Sequence, residues 1–139
     1  MARPARPARA VALAGSAGLL AFQVALAAGA PWGAASWGGR HPGTLPRDLR
    51  VASAVSSLVY VGSLAAAASR TESSRMARVR TAYSLLYAVG TVMNAASRST
   101  PERLLWTPVA SALAVGFWRL RSEPVLEQGE DVLEVLGAG

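Results

Sequence analysis

Thirty consecutive residues, Ala10 to Gly39, carry no charge. The first twenty-one of them, Ala10 to Ala30, rise about 31 Å as a helix, close to the roughly 30 Å hydrocarbon core of a bilayer. Such a run predicts a membrane span more strongly than any other feature of this chain constrains its fold. A cleaved signal peptide is the rival reading. Arg3, Arg6 and Arg9 would form its basic region, and Ala25-Leu26-Ala27 or Ala27-Ala28-Gly29 its cleavage site. Against it, the run is long for the apolar part of a signal peptide, and the segments that follow need a membrane as well.

Those segments repeat the pattern. Val51 to Ser69 is a second uncharged run, 79–96 a third apolar stretch whose only charge is Arg80 at its start, and Leu104 to Trp118 a shorter fourth that Arg103 and Arg119 extend by snorkelling to the two surfaces. The apolar residues, 52% of the chain, are thus gathered into four blocks rather than scattered. The fold class this predicts is all-α, an antiparallel four-helix transmembrane bundle over residues 1–122, with an acidic cytoplasmic tail over 123–139.

Polar residues inside the runs mark their inward faces. In the second run Ser53, Ser56, Ser57, Tyr60 and Ser63 fall on one stripe, which predicts helix packing rather than lipid contact. In the third, Tyr83, Tyr87, Gly90 and Asn94 share a face. In the first, the small residues Ala14, Gly18, Ala21, Ala25 and Gly29 recur on one side and predict a close helix contact there. Before it, the prolines among Arg3, Arg6 and Arg9 argue against helix.

Two polar connections share a chemistry. Pro31 to Arg50 holds Trp32, Trp37, the sole histidine His41, and Arg40, Arg47 and Arg50; Asn94 to Pro108 holds Arg98, Arg103 and Trp106. Ser99-Thr100-Pro101-Glu102 reads as a capping box with Ser99 at the N-cap, or as Thr100 at the N-cap with Pro101 first in the helix. Thr44-Leu45-Pro46 opens a helix in the same manner, and Ser73 or Ser74 caps the third.

All fourteen basic residues are arginine. They flank the runs instead of forming one basic face, which argues against nucleic acid despite a net charge of +6. Four spans put both termini and the 70–80 hinge on one side with nine arginines, against five on the other. The excess predicts cytoplasmic termini in a multi-pass protein of a bacterial plasma membrane, with both tryptophan-bearing connections facing outward.

The loop pair P-W-G-x-x-x-W-G-G with L-P-x-x-L-R, and N-x-x-S-R-S-x-x-E-R-x-x-W-x-P, resembles that of small uncharacterised four-helix integral membrane proteins of GC-rich bacterial genomes. The resemblance implies a fold and a membrane but no activity. The chain lacks cysteine, G-x-S-x-G, H-E-x-x-H and a phosphate loop, and its acids are too few around His41 for a metal, so no catalytic residue, metal or cofactor is expected. Small multidrug-type transporters match in size and helix number, yet the four runs here hold no acid to bind a cation or proton.

A non-enzymatic membrane protein is expected ahead of a membrane enzyme acting on a lipid through His41, Asp48 and Glu102: an accessory subunit of a partner membrane protein, or a binder of an anionic lipid or glycan headgroup. Its candidate site is Arg40 with Arg98, floored by Asn94. Asp48, Arg50, Glu102 and Arg103 would form a structural clasp in which arginines pair with the two acids, and Trp32, Trp37, Trp106 and Trp118 would anchor at the interfaces. The alternative is a small transporter or channel with its path between the second and third spans.

Overall fold

The computed structural model describes residues 5–122 and Gly137, and the acidic 123–139 tail expected from the sequence lies, apart from Gly137, outside the described residues. Four helices account for most of the described chain, and no strand occurs among the described residues. Helix α1 covers Ala5–Ala28, α2 Arg47–Ala68, α3 Ser74–Ala95 and α4 Thr100–Leu120. The expectation that the early prolines would exclude helix is corrected. Pro7 lies in the first turn of α1, where a backbone N–H has no intrahelical acceptor and its loss costs nothing.

The ends follow local chemistry. Gly29, at φ +103°, terminates α1, with the Gly29 N–H donating to Leu26 and the Ala30 N–H to Ala25; this pair of bonds closes a helix through a left-handed residue. Pro46 immediately precedes α2. The Ser73 hydroxyl accepts from the Met76 N–H at 3.1 Å and caps α3. Ser99, not Thr100, caps α4, accepting from the Glu102 N–H at 3.2 Å.

Contacts between helices fix an antiparallel ring. Ser16 meets Ser63 and Arg50 meets Ala27 across α1 and α2, and Ser84 meets Ala114 across α3 and α4. Phe22 meets Trp106, and Gly15 meets Leu113, across α1 and α4. At Gly15 an added Cβ would lie 2.7 Å from the Leu113 side chain, so the absence of a side chain is what lets Leu113 seat there. The fourth seam, α2 against α3, is the least packed. It is held by Ser63 to Tyr87, by the Tyr83 hydroxyl donating to the Val59 carbonyl, and by Arg80 at the inner end, the end that carries the α2–α3 hinge.

The apolar core of Leu19, Leu113, Phe117 and Leu120 is interleaved with buried serines, and many large apolar side chains lie outside it. Ser16, Ser53, Ser57, Ser63 and Ser84 are buried, while Leu58, Val92, Met93 and Leu104 are each about 70% exposed and Val51, Val55, Leu85, Val89 and Val115 more than half exposed. Hydroxyls bond to one another or to carbonyls inside: Ser16 to Ser63 at 2.7 Å, Ser63 to Tyr87 at 2.6 Å, and Ser57 to Ser53 O. The serine stripe of α2 therefore faces helices. The small-residue stripe predicted on α1 does not: Ala14, Gly18 and Ala21 are exposed, and the packed face is Ala8, Ala12, Ser16, Leu19 and Leu26 with Gly15. In an alanine-rich helix every face carries small residues, so smallness alone does not select the contact.

The inner end is organised by an arginine that the sequence places in a hinge. Arg80 is only 1% exposed. Its guanidinium donates to Ser69 O at 2.8 Å, Leu120 O at 3.0 Å and Ala66 O at 3.4 Å, and to both carboxylate oxygens of Glu72 at 3.3 Å. Arg9 donates to Ala67 O and Ser69 O nearby. Two cations thus meet the carbonyls at the negative end of α2, and one of them also serves α4.

Candidate functional site

At the outer end the connection between α1 and α2 folds back over the bundle as two short 3-10 turns, Gly33–Ala35 and Trp37–Gly39. Glycine makes this roof possible. A Cβ on Gly33 would fall 1.9 Å from the His41 carbonyl oxygen, and Gly38 and Gly39 hold φ of +77° and +68°. Trp37 itself sits at φ +52°, a conformation that side chains disfavour, and its indole N–H donates to the Ser53 hydroxyl of α2 at 3.1 Å. Replacing Gly33 by Ala should lower the melting temperature by the equivalent of about 1–3 kcal/mol, an overpacking cost. The same change at exposed Gly18, where a Cβ meets nothing, should be neutral or better; equal effects would show that the roof is pliable.

The first turns of α4 hold the roof down. A Glu102 carboxylate oxygen accepts from the Gly38 N–H at 3.1 Å and from the Ser97 hydroxyl. The Ser99 hydroxyl donates to Ala34 O while accepting the α4 cap bond, and the Trp106 indole N–H donates to Ala35 O at 2.8 Å. Phe22 of α1 lies between Trp106, at 4.6 Å, and Trp32, at 6.0 Å between ring centroids. Each tie ends on backbone or hydroxyl, so the roof is fixed by the Glu102 carboxylate, the Ser99 and Ser53 hydroxyls and the Trp106 and Trp37 indoles.

Ion pairs do not contribute there. The described residues form no arginine–acid pair at the outer end, where Asp48 is exposed. Arg50 instead donates to Ala27 O at 3.0 Å and caps the end of α1, and Arg103 donates to Ser97 O at 3.0 Å just beyond α3. Of the four residues expected to form a clasp, Glu102 thus ties the loops, Arg50 satisfies a carbonyl at the end of α1, and Arg103 bonds a carbonyl of the α3–α4 loop. Trp32 and Trp37 are exposed and Trp106 half-buried at the outer end; Trp118 is exposed at the inner end with the Arg121 guanidinium 3.3 Å over its ring.

Beneath the roof lies a cavity of about 1100 Å³. Its upper rim carries Arg40, Arg98, Asn94, Ser97 and Glu102, its walls Leu19, Phe22, Val59, Leu86, Val89 and Met93, and its floor Tyr60 and Tyr87. Arg40 and Arg98 come from different connections, yet both border this one space, with Asn94 beside them. Both arginines are exposed, and neither donates a hydrogen bond or joins an ion pair with another described residue. Among the described residues no group of His, Asp and Glu is placed to hold a metal ion.

Gln23 was not singled out by sequence reasoning. It is the only amide in the uncharged opening run, and it borders the cavity from α1. Its side-chain oxygen is buried and has no hydrogen-bond partner among the described residues. An amide in an otherwise apolar span is a readable signal, because it is costly there unless something answers it.

No family model matches the chain, and comparison with curated proteins and with solved structures finds no match.

Proposed function

We propose that this chain is a non-enzymatic integral membrane protein whose outer cavity binds an anionic headgroup. The observation that carries the site is the pair Arg40 and Arg98, two guanidinium groups from separate loops bordering one cavity without protein partners. Forked donors of this kind suit phosphate or carboxylate oxygens.

The membrane setting rests on three features. Arg6–Ala28 and Arg47–Ala68 are long and apolar enough to cross a bilayer by length and composition. The shorter uncharged stretches of α3 and α4 present exposed Leu85, Val89, Val92, Leu104 and Val115, and in water these faces would remain unburied. Buried Ser16, Ser53, Ser57, Ser63 and Ser84 meanwhile sit among alanine, leucine and phenylalanine at the helix contacts, a use of small hydroxyl residues that suits helices packing in lipid. With nine arginines at the inner end and five at the outer, the termini lie in the cytoplasm and the cavity faces outside.

A second reading, a transporter, is favoured by the cavity's position between α2 and α3. Ser63, Tyr83, Tyr87 and Arg80 close the seam below it, which corresponds to a state open only outward. Flux of a labelled anion into proteoliposomes above protein-free controls would favour this reading.

The chain has no native cysteine, so single cysteines report topology without background. His41→Cys should react with a membrane-impermeant maleimide in intact cells, and Arg75→Cys only after lysis; the reverse pattern would invert the model. In zwitterionic detergent, Arg40→Gln with Arg98→Gln should weaken retention of anionic lipid about a hundredfold, at roughly tenfold per lost charged hydrogen bond. Lysine at both positions should recover only part of this. Unchanged retention in the double glutamine variant would exclude the headgroup site.

A further inference from the structure

The cavity is open at its side as well as its top. Val59, Leu86, Val89 and Met93 line it and are 42%, 46%, 58% and 68% exposed, whereas Leu19 and Tyr87, which also line it, are 8% and 4% exposed. The accessible part of the lining thus lies on α2 and α3, which makes the cavity continuous with the side of the bundle that, on the reading above, meets lipid. The seam is loose there because its ties lie deeper: Ser63 to Tyr87, Tyr83 to Val59 O, and Arg80 to Ala66 O. Gly90 borders the opening, and a Cβ added to it would meet nothing within 4 Å.

We propose that the α2–α3 cleft seats an acyl chain of an anionic phospholipid that enters sideways from the outer leaflet, with its phosphate at Arg40 and Arg98 and a hydroxyl or amine of its headgroup or glycerol region at the Gln23 amide. The inference rests on the headgroup site and specifies its occupant. Charge and polarity run in one order along the cavity: two unpaired cations at the rim, then an unanswered amide, then an aliphatic cleft open to the bilayer. An anionic lipid has that order. A soluble anion would use the rim and leave the cleft and the amide idle. At about 1100 Å³ the space slightly exceeds usual small-ligand pockets, which hold roughly 300–1,000 Å³, as a headgroup with part of a chain requires.

The test uses full-length protein in zwitterionic detergent, with phosphatidylglycerol, phosphatidylcholine, sn-glycerol 3-phosphate and inorganic phosphate as probes. Gly90→Phe fills the cleft without touching the rim. It should weaken phosphatidylglycerol retention, read by native mass spectrometry, about tenfold, the equivalent of withdrawing roughly two methylenes from an apolar site. Its affinity for glycerol phosphate should be unchanged. Gly90→Cys, a smaller change, should be protected from maleimide by phosphatidylglycerol but not by phosphatidylcholine, glycerol phosphate or inorganic phosphate. If Gly90→Phe retains phosphatidylglycerol and Gly90→Cys stays reactive while the Arg40 and Arg98 variants lose binding, the chain is not in the cleft and the headgroup site alone stands. If the arginine variants also bind normally, both proposals fall.

Discussion

Arg80→Ala should be the most damaging single substitution in the described structure. It deletes donors to three helix-end carbonyls and leaves the Glu72 carboxylate without its cation. Removing one partner of a buried charge network costs about 3–5 kcal/mol, a large share of the roughly 5–15 kcal/mol by which folded proteins are typically stable. The measured outcome should be little or no folded protein after extraction. Arg80→Lys should fall between, because one ammonium cannot reach Ala66 O, Ser69 O and Leu120 O together. Glu72→Gln should cost less than about 1 kcal/mol, since Glu72 is 29% exposed and the arginine keeps its carbonyls. If Glu72→Gln lowers the melting temperature as far as Arg80→Ala, the ion pair rather than the helix-end carbonyls holds the inner end together.

Why the sequence conceals Arg80 is a matter of where its partners lie. No basic residue occupies the last turn of α1, α2 or α3. Their ends are served instead from other elements, Arg50 for α1, Arg9 and Arg80 for α2, and Arg103 just beyond α3. Flanking arginines of a membrane protein and cross-helix caps look identical in a linear chain, and only the antiparallel packing of the helix ends tells them apart. Helix number, approximate extents and the inward serine stripe were legible because apolar runs and hydroxyl periodicity are local signals. The Ser99 and Ser73 caps were legible for the same reason. The α1 contact face was not, because alanine and glycine occur on all sides of that helix and the choice of Gly15 over Gly18 depends on where Leu113 falls.

The outer site was legible in part. Composition brought Arg40, Arg98 and Asn94 together as candidates, and the three do border one cavity. The expected pairing of arginines with Asp48 and Glu102 is not seen, because helix-end carbonyls and loop N–H groups lie closer to hand than side chains on neighbouring helices. Gln23 and the open α2–α3 seam depend on tertiary placement. The seam is wide because an aromatic cluster lies across the middle of the bundle, Tyr60 and Tyr83 stacked on Tyr87 and Tyr87 on Phe117, while Gly62 gives way to the Tyr83 hydroxyl.

Glu102 separates the architecture of the outer end from the headgroup binding proposed for it. Glu102→Ala should leave the part-buried Gly38 N–H and Ser97 hydroxyl without their acceptor, at about 1 kcal/mol for each, the low end of the cost of an unpaired group because water reaches them in part. It also removes a negative charge from the first turn of α4, worth roughly 0.3–1 kcal/mol. Glu102→Gln keeps an acceptor oxygen and should lose mainly that last contribution. The alanine variant should therefore melt markedly lower than the glutamine variant. Its loss should combine non-additively with Trp106→Phe, because the Ala35 bond and the Gly38 bond fasten the same roof. Lipid retention should fall with it although no rim cation has been touched, since Arg40 is carried by the roof that Glu102 fastens. Glutamine at Arg40 and Arg98 should show the opposite profile, an unchanged melting temperature with lost retention, because neither side chain bonds to the fold. If those two substitutions lower the melting temperature as much as Glu102→Ala, the rim arginines are part of the fastening and the cavity has no site for an anion.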